Sequence, residues 1–482
     1  MDKQFYMATI DETVNRIITP YADALDSFIF YSVSVGEVEI PLIVVWLATA
    51  AVFFTFYFEF INIRGFRHAI RLVRGDYTNE KDKGEINHFQ ALTTALSGTV
   101  GIGNIGGVAI VISIGGPGAC FWLAVAGFLG MSTKFIECIA GVKYRKINED
   151  GSVSGGPMYY LEDSMKNIGL SFLAKPMGYF YAIAIVIGCL GIGNMFQSNQ
   201  AFEQFVFATG GANSFFIDKG WLFGITIALI VALVIIGGIK GIAKVTSKMI
   251  PFMGILYVVS ALLIIFLNAN KLPAVLVSIV TEAFSPTAVK GGMLGVMILG
   301  IKRAVFSNEA GIGSASIAHA AVKTNEPVTE GFVGLLEPFI DTVVICSITA
   351  LVILVTVYDP TTPIGDVQGV SLTASAFEQT AAWTVYPLSI VAILFAFSTI
   401  ISWSYYGLKG WTYIFGRHLY SRRIFQAIFC LFVALGCMIE LDSVLKFSDA
   451  MVFLVALPNV LALFLLAPSI KRDLKNYLKK IT

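Results

Sequence analysis

Charge is scarce in this chain. Asp, Glu, Lys and Arg make up 13% of its 482 residues, about half the share found in ordinary soluble proteins. The 33 Lys plus Arg nearly cancel the 32 Asp plus Glu, leaving a net charge of +1. A basic surface for nucleic acid is therefore excluded, and so is a disordered, highly charged chain. Histidine is also rare, with 4 scattered residues. The six cysteines (Cys120, Cys138, Cys189, Cys346, Cys430 and Cys437) sit in apolar stretches and form no C-x-x-C pair. Neither a disulfide framework nor a transition-metal site is expected. No G-x-x-x-x-G-K-[ST] segment occurs, so this chain carries no ATPase motif. The first 40 residues include Asp2, Asp11, Glu12, Asp23 and Asp26 and have no short apolar core after a basic start, which argues against a cleaved signal peptide.

What the chain has instead is apolar length. It is 56% hydrophobic, with a mean hydropathy of +0.77. At about 20 residues per crossing, that composition supplies roughly ten to twelve membrane helices. Eleven apolar intervals are read at 41–61, 89–114, 118–142, 177–207, 221–239, 249–268, 292–320, 331–357, 380–408, 424–440 and 447–468. Lys and Arg alternate with them. Twenty-four fall in segments on the side reached by residues 62–88, six fall on the other side, and Lys134, Lys302 and Arg303 lie in or at the ends of spans. Positive residues concentrate on the cytoplasmic face. The reading is an all-α polytopic protein of the cell membrane with its N-terminus outside and its C-terminus in the cytoplasm. Residues 1–40 form an extracytoplasmic segment at the membrane surface, and 469–482 form a basic cytoplasmic tail.

Several spans are cut by glycine. The second contains Ser97-Gly-Thr-Val-Gly-Ile-Gly-Asn-Ile-Gly-Gly107, and the seventh contains Ser307-Asn-Glu-Ala-Gly-Ile-Gly-Ser-Ala-Ser316. Aligned on Gly-Ile-Gly, the two lie 210 residues apart, or five spans. An odd number of spans inverts the second copy. The chain thus reads as one extra helix (41–61), a five-helix repeat (89–268) and an inverted five-helix repeat (292–468). Matched interruptions are the mark of secondary transporters, in which freed amides hold an anionic group and freed carbonyls a cation. Close packing through small residues is the alternative, but Asn104, Asn308 and Glu309 favour a polar pathway. The literal G-x-G-x-x-G at Gly101–Gly106 is not a dinucleotide fingerprint, because no strand precedes it.

A third Gly-Ile-Gly-Asn, at 191–194, is followed by Gln197, Asn199 and Gln200. Asn194 and Gln197 share a helical face and can hydrogen-bond a zwitterion or a neighbouring helix. Ser398, Thr399, Ser402 and Ser404 offer oxygen ligands for a small cation, although spacing alone favours back-bonding to their own helix. Trp403 lies beside these hydroxyls. Lys134 and Glu137 are spaced to pair on one helical face. Lys302 and Arg303 are expected to pair with Glu309, Glu337 or Asp341. His319 and His418 are expected at the surface or in packing, and Gly155-Gly-Pro-Met158 reads as a turn with no chemical role.

Together these segments resemble the alanine or glycine:cation symporter family, sodium-coupled carriers with a leucine-transporter-like inverted repeat. The resemblance spans about residues 60 to 468. It rests on His88-Phe-Gln-Ala-Leu92, Gly101-Ile-Gly-Asn-Ile105, Gly115-Gly-Pro-Gly-Ala119, Gly155-Gly-Pro-Met-Tyr159, Phe306-Ser-Asn-Glu-Ala-Gly311 and Trp403-Ser-Tyr-Tyr-Gly407. It implies symport of alanine, glycine or a similar small amino acid with Na⁺, or with H⁺, and no other cofactor. By motif position, Gly101, Gly103, Asn104, Gln197, Phe306, Ser307, Asn308 and Trp403 would line the substrate. Gly98, Gly101, Ser398 and Thr399 would hold Na⁺.

Overall fold

The computed structural model describes residues 10–35, 38–77, 79, 82–285, 292–358 and 369–481. Among them, regular structure is helical apart from two short antiparallel hairpins, Ser32–Val35 with Val38–Pro41 and Lys146–Ile147 with Val153–Ser154. Seven helices are long and apolar enough to cross a bilayer: Ile102–Lys143, Ser171–Ala208, Gly238–Leu267, Pro327–Thr356, Ala382–Phe415, Leu419–Gly436 and Leu441–Ile481. Shorter apolar helices cover Leu42–Tyr57, Gly220–Ile235 and Leu272–Ala283, and Gly292–Asn308 is an interrupted one. Each of the eleven apolar intervals is thus helical, although the partition differs from that read in the sequence. The outward faces explain the composition. Leu229, Leu233, Ile255 and Phe266 are exposed, large apolar side chains that would promote aggregation in water but cost nothing against lipid tails.

The second and third intervals meet at a single residue. Gly106–Lys143 is helical throughout except at Gly116, where φ is 63° and ψ −168°. That region is essentially reserved for glycine. Pro117 follows it and opens the next helical run, where a missing amide hydrogen does no harm. At the other end of the chain, Leu441–Ile481 is one 41-residue helix, about 60 Å long at 1.5 Å per residue. It runs straight through the boundary expected at 468, so the basic tail is an extension of the last helix and not a separate segment.

Five helices of nine or more residues lie where the sequence showed no long apolar run: Ile10–Ile29, Phe66–Arg74, Pro157–Asn167, Leu272–Ala283 and Val370–Thr380. Ile10–Ile29 lies against the last helix, with Thr19 Oγ1 2.7 Å from Ser443 Oγ and Lys446 Nζ 2.9 Å from Asp23. The Gly155-Gly-Pro-Met158 turn has a packing role that the sequence did not disclose. Pro157 abuts Gly313, and Gly155 and Gly156 allow close approach to Ala320 and Ile317.

One end of the bundle is tied by main chain. The segment before the first broken helix pairs with the segment after the second: Glu85 N donates to Ala321 O at 2.7 Å and Lys323 N to Ile86 O at 2.7 Å. Arg145 clasps both strands through four carbonyls, those of Lys83, Ala320, Val322 and Thr324. At the opposite end, Val370–Thr380 covers the first break. Val370 N donates to Gln200 Oε1 at 3.1 Å, and Thr373 Oγ1 donates to Ile105 O at 3.1 Å.

Gly116→Ala tests the bend. It forces a side chain into a glycine-only conformation and is expected to destabilise the protein by about 1–3 kcal/mol, read as a lowered melting temperature of the detergent-solubilised protein.

Candidate substrate-binding site

The first broken helix begins at His88 behind a capping box, in which Asn87 Oδ1 accepts from Gln90 N at 2.8 Å and Gln90 Oε1 accepts from Asn87 N at 3.1 Å. It stops at Thr99. Gly101 is extended, Ile102–Asn104 makes one 3₁₀ turn, and the helix restarts at Gly106. The freed amides find side chains. Gly101 N donates to Asn104 Oδ1 at 2.8 Å, and Ile102 N donates to Gln197 Oε1 at 3.1 Å. A Cβ on Gly101 would come 2.5 Å from Thr399 Oγ1 and 2.9 Å from Gln197 Oε1, so only glycine lets these three elements converge. Gln197 Nε2 donates to Ile192 O at 3.0 Å. Ile192 belongs to the π-helical stretch Gly191–Met195, a widened turn of the kind found at functional sites.

The second broken helix ends at Asn308. Glu309, Gly311 and Gly313 all have positive φ, and Ser314–His319 resumes the helix. Glu309 is strained for a non-glycine residue, and its carboxylate is held at both oxygens. Trp403 Nε1 donates to Oε1 at 2.9 Å, and the Ser314 hydroxyl donates to Oε2. The same indole N–H lies 3.2 Å from Gly98 O, at the end of the first half-helix. One tryptophan therefore bridges both breaks, and Gly193 makes room for it, since a Cβ there would fall 1.9 Å from the Trp403 ring. The remaining main-chain groups are also capped. Gly313 N donates to Glu137 Oε1 at 3.1 Å, Asn459 Nδ2 to Gly311 O at 2.8 Å, and Tyr181 OH to Ile312 O at 2.9 Å.

Asp341 joins the two halves, and the sequence reading did not place it in the site. It lies in a second π-helical stretch, Phe339–Cys346, and is fully buried. Asn104 Nδ2 donates to its Oδ1 at 2.6 Å, while Ser307 Oγ and Thr342 Oγ1 donate to its Oδ2 at 2.6 and 2.7 Å. Asn308 Nδ2 donates to Thr342 Oγ1 at 3.1 Å. No cation of the described residues forms an ion pair with it. A carboxylate inside an apolar span was the available signal.

The structure brings Gly101, Gly103, Asn104, Gln197, Phe306, Ser307, Asn308 and Trp403 to one buried region. Phe306 stands 3.5 Å from the Cβ position of Gly103 and packs edge-on against Phe196. Ser398 Oγ and Thr399 Oγ1 both donate to Phe395 O, at 2.9 and 3.0 Å. Their helix adjoins the first break, where Ser97 Oγ donates to Ser398 O at 2.6 Å.

Two expected pairings are corrected. Lys302 and Arg303 both pair with Asp449, at 3.1 and 3.0 Å, and not with Glu309, Glu337 or Asp341. Lys134 pairs with Glu337 at 3.4 Å, while Glu137, on its own helix face, turns instead to Gly313 and Asn459. In both pairings the partner found lies farther away in sequence than those expected. Of the two places open to His319, surface or packing, the structure shows the buried one, between two carboxylates.

Two half-helices broken at matching positions around a buried polar centre define a multi-pass membrane carrier. The fold is similar to that of a solved structure, MhsT in complex with L-phenylalanine, with a TM-score of 0.56 at 16% identity over 77% of this chain and 87% of that one. Residues 27–482 match the sodium:alanine symporter family, and the chain belongs to it. It is a secondary active amino-acid transporter of a sodium-coupled family. The sodium/alanine symporter AgcS of Methanococcus maripaludis is 36% identical over 438 residues, covering 91% of this chain and 94% of that protein. The probable sodium/glutamine symporter GlnT of Bacillus subtilis is 30% identical over 441 residues, covering 91% and 88%.

Trp403→Phe keeps the ring and removes the shared N–H. Glu309 Oε1 and Gly98 O each lose a donor, so a loss of about 1–3 kcal/mol is expected, measured as a shift in thermal unfolding alongside unchanged monodispersity.

Proposed function

We propose that this protein carries alanine or glycine across the cell membrane together with Na⁺ by alternating access. The observation that carries the reading is the state of the first break. Its amides at Gly101 and Ile102 are buried and capped by neutral side-chain oxygens of Asn104 and Gln197. A substrate carboxylate makes a stronger, charge-assisted bond to the same amides and can replace these caps. Phe306, Phe196 and Trp403 crowd the surroundings, which favours a substrate with little or no side chain.

Charge balance supports a cation as co-substrate. A zwitterion brings no net charge, and Na⁺ brings one. Asp341, buried without a paired cation among the described residues, supplies the compensating charge close to Asn104 and Ser307. Ser398 and Thr399 send their hydroxyl hydrogens to Phe395 O, which leaves oxygen lone pairs free. With main-chain oxygens at Gly98 and Gly101 they form the proposed Na⁺ site, since hard oxygen donors suit a small cation. Each ligand then stabilises the arrangement that the other needs, and their affinities rise together.

In this reading the chain crosses the membrane eleven times, with the helix at 42–57 standing outside two inverted repeats (89–268 and 292–468), the N-terminus outside and the C-terminus in the cytoplasm. The end tied by Arg145 is cytoplasmic, and the end under Val370–Thr380 faces outward. Cover at both ends of the break favours a carrier over an open pore.

Two measurements test this. Replacing the Na⁺ gradient by choline in proteoliposomes should abolish concentrative alanine uptake, and undiminished uptake would remove Na⁺ coupling. Once displaced from Ile102 N, the Gln197 amide can donate Nε2–H to the substrate carboxylate, so Gln197→Ala should weaken alanine binding at least tenfold, roughly the worth of that charge-assisted hydrogen bond, in a scintillation proximity assay on folded protein. Unchanged binding would take Gln197 out of the site.

A further inference from the structure

Beneath the Arg145 clasp lies a chain of buried ionisable groups that substrate binding does not use. His88 Nδ1 meets Glu330 Oε1, and His319 Nδ1 meets Glu330 Oε2. His319 Nε2 lies 2.6 Å from Glu337 Oε1, and Lys134 Nζ lies 3.4 Å from Glu337 Oε2. His319, Glu330, Glu337 and Lys134 are 0% exposed, and His88 is 3% exposed. The chain links four elements. His88 opens the first broken helix, His319 closes the second, the two glutamates stand on the helix that follows, and Lys134 stands on the helix after the Gly116 bend.

The hydrogen-bond count has a strict consequence. A neutral imidazole has one N–H and one lone pair. Both ring nitrogens of His319 face carboxylate oxygens at hydrogen-bond distance. With both glutamates ionised and His319 neutral, one nitrogen lone pair would point at an anionic oxygen inside a dry protein, a repulsion that a buried site does not sustain. The arrangement closes only with one more proton, either as an imidazolium between two carboxylates or as a neutral imidazole accepting from a carboxylic acid. The other charged or titratable groups nearby do not remove this need. Lys134 is already charged and serves the far oxygen of Glu337. Glu137 and Glu309 are bonded to Gly313 and Trp403. Cys138 and Tyr406 add no fixed charge. Arg145 is committed to four carbonyls, and Asp82 stands beyond His88. Cys138, His319 and Glu337 also bring ligand atoms within 4.8 Å of one another, but a nitrogen–oxygen separation of 2.6 Å is that of a shared proton.

We propose that Glu330–His319–Glu337 is a proton-binding site that latches this end of the carrier shut. The bound proton lets one imidazole tie the inner half of the second broken helix to the helix carrying both glutamates, while Glu330 ties in the first broken helix through His88. Opening this end separates His319 from the carboxylates, admits water and removes the reason to hold the proton. It is released to the solution on that side and taken up again on closure. No bond other than N–H or O–H is made or broken. By linkage, the closed arrangement gains relative to the open one as pH falls, by up to about tenfold per pH unit for one proton. The effect on transport rests on the alternating-access reading, but the existence of the site does not.

Two readouts separate those claims. In protein labelled with ¹⁵N-histidine and held in nanodiscs at pH 8, one of the 4 histidines, assigned by its absence in His319→Gln, should show both ring nitrogens protonated, or infrared spectra should show a carboxylic acid band that vanishes in Glu337→Gln. The Glu337→Gln amide can donate to a neutral His319, so this variant keeps the hydrogen bonds without the extra proton. In proteoliposomes, lowering pH by two units on the side of the clasp should slow Na⁺-driven uptake by about tenfold or more, and Glu337→Gln should flatten that dependence while retaining uptake. A neutral His319 with both glutamates ionised overturns the proposal, as does a stoichiometric bound metal. A proton detected by spectroscopy with no pH effect from either side would leave the site standing and overturn the latch.

Discussion

Inside a bilayer an unpaired main-chain amide or carbonyl has no water to turn to. A helix broken halfway through the membrane must therefore be capped by something, and the rest of this structure follows from how the two breaks are capped. Asn104 and Gln197 serve the amides of the first break. Trp403 serves a carbonyl of the first and a carboxylate of the second. Glu137, Asn459 and Tyr181 serve the second. These caps come from four different long helices, so the breaks can exist only within the assembled bundle. The two amide caps on the first break are single neutral oxygens, and in the proposed function a charged substrate group replaces them.

Room for the caps is made by local departures from ideal helix. The two π-helical stretches, Gly191–Met195 and Phe339–Cys346, lie against the breaks. One frees the Ile192 carbonyl for Gln197, and the other carries Asp341. Glycines at 101 and 193 let Thr399 and Trp403 approach where a methyl group would collide. The helix disfavours such residues by up to about 1 kcal/mol each, and close approach at the site is what the protein obtains in return.

The two ends of the bundle are closed by different chemistry. On one side, main-chain pairing, the Arg145 guanidinium and a buried acid–histidine chain hold the half-helices together. On the other, a short helix is seated through Gln200 and Thr373 by neutral hydrogen bonds. Neutral contacts re-form with water at little penalty, whereas buried charges are strongly penalised when a partner is lost. Under the proposed proton latch, the tied end is the one whose opening depends on a change of charge state.

Much of this was legible in the linear chain. Apolar length sets the helices, because only a helix satisfies main chain within lipid, and glycine clusters at 101–107 and 311–313 mark the breaks, because helix propensity is local. The candidate site residues on the second, fourth, seventh and ninth intervals came from motif position in the family resemblance and from polar types stranded in apolar surroundings, and the structure buries them in one region. Three kinds of feature were not legible. Helices such as Val370–Thr380 and Pro157–Asn167 lack a long apolar run and exist only against the bundle. Asp341 shows in the sequence as a buried acid, but its junction with Asn104 and Ser307 depends on a contact across more than 200 residues of chain. The pairing of charges was misread wherever spacing alone was used. Lys134 lies one turn from Glu137 yet pairs with Glu337, and Lys302 and Arg303 turn to Asp449. Periodicity and propensity act within a few residues and can be read along a chain. Which buried charge meets which is settled by three-dimensional proximity in a medium of low dielectric, and that is decided only when the helices pack.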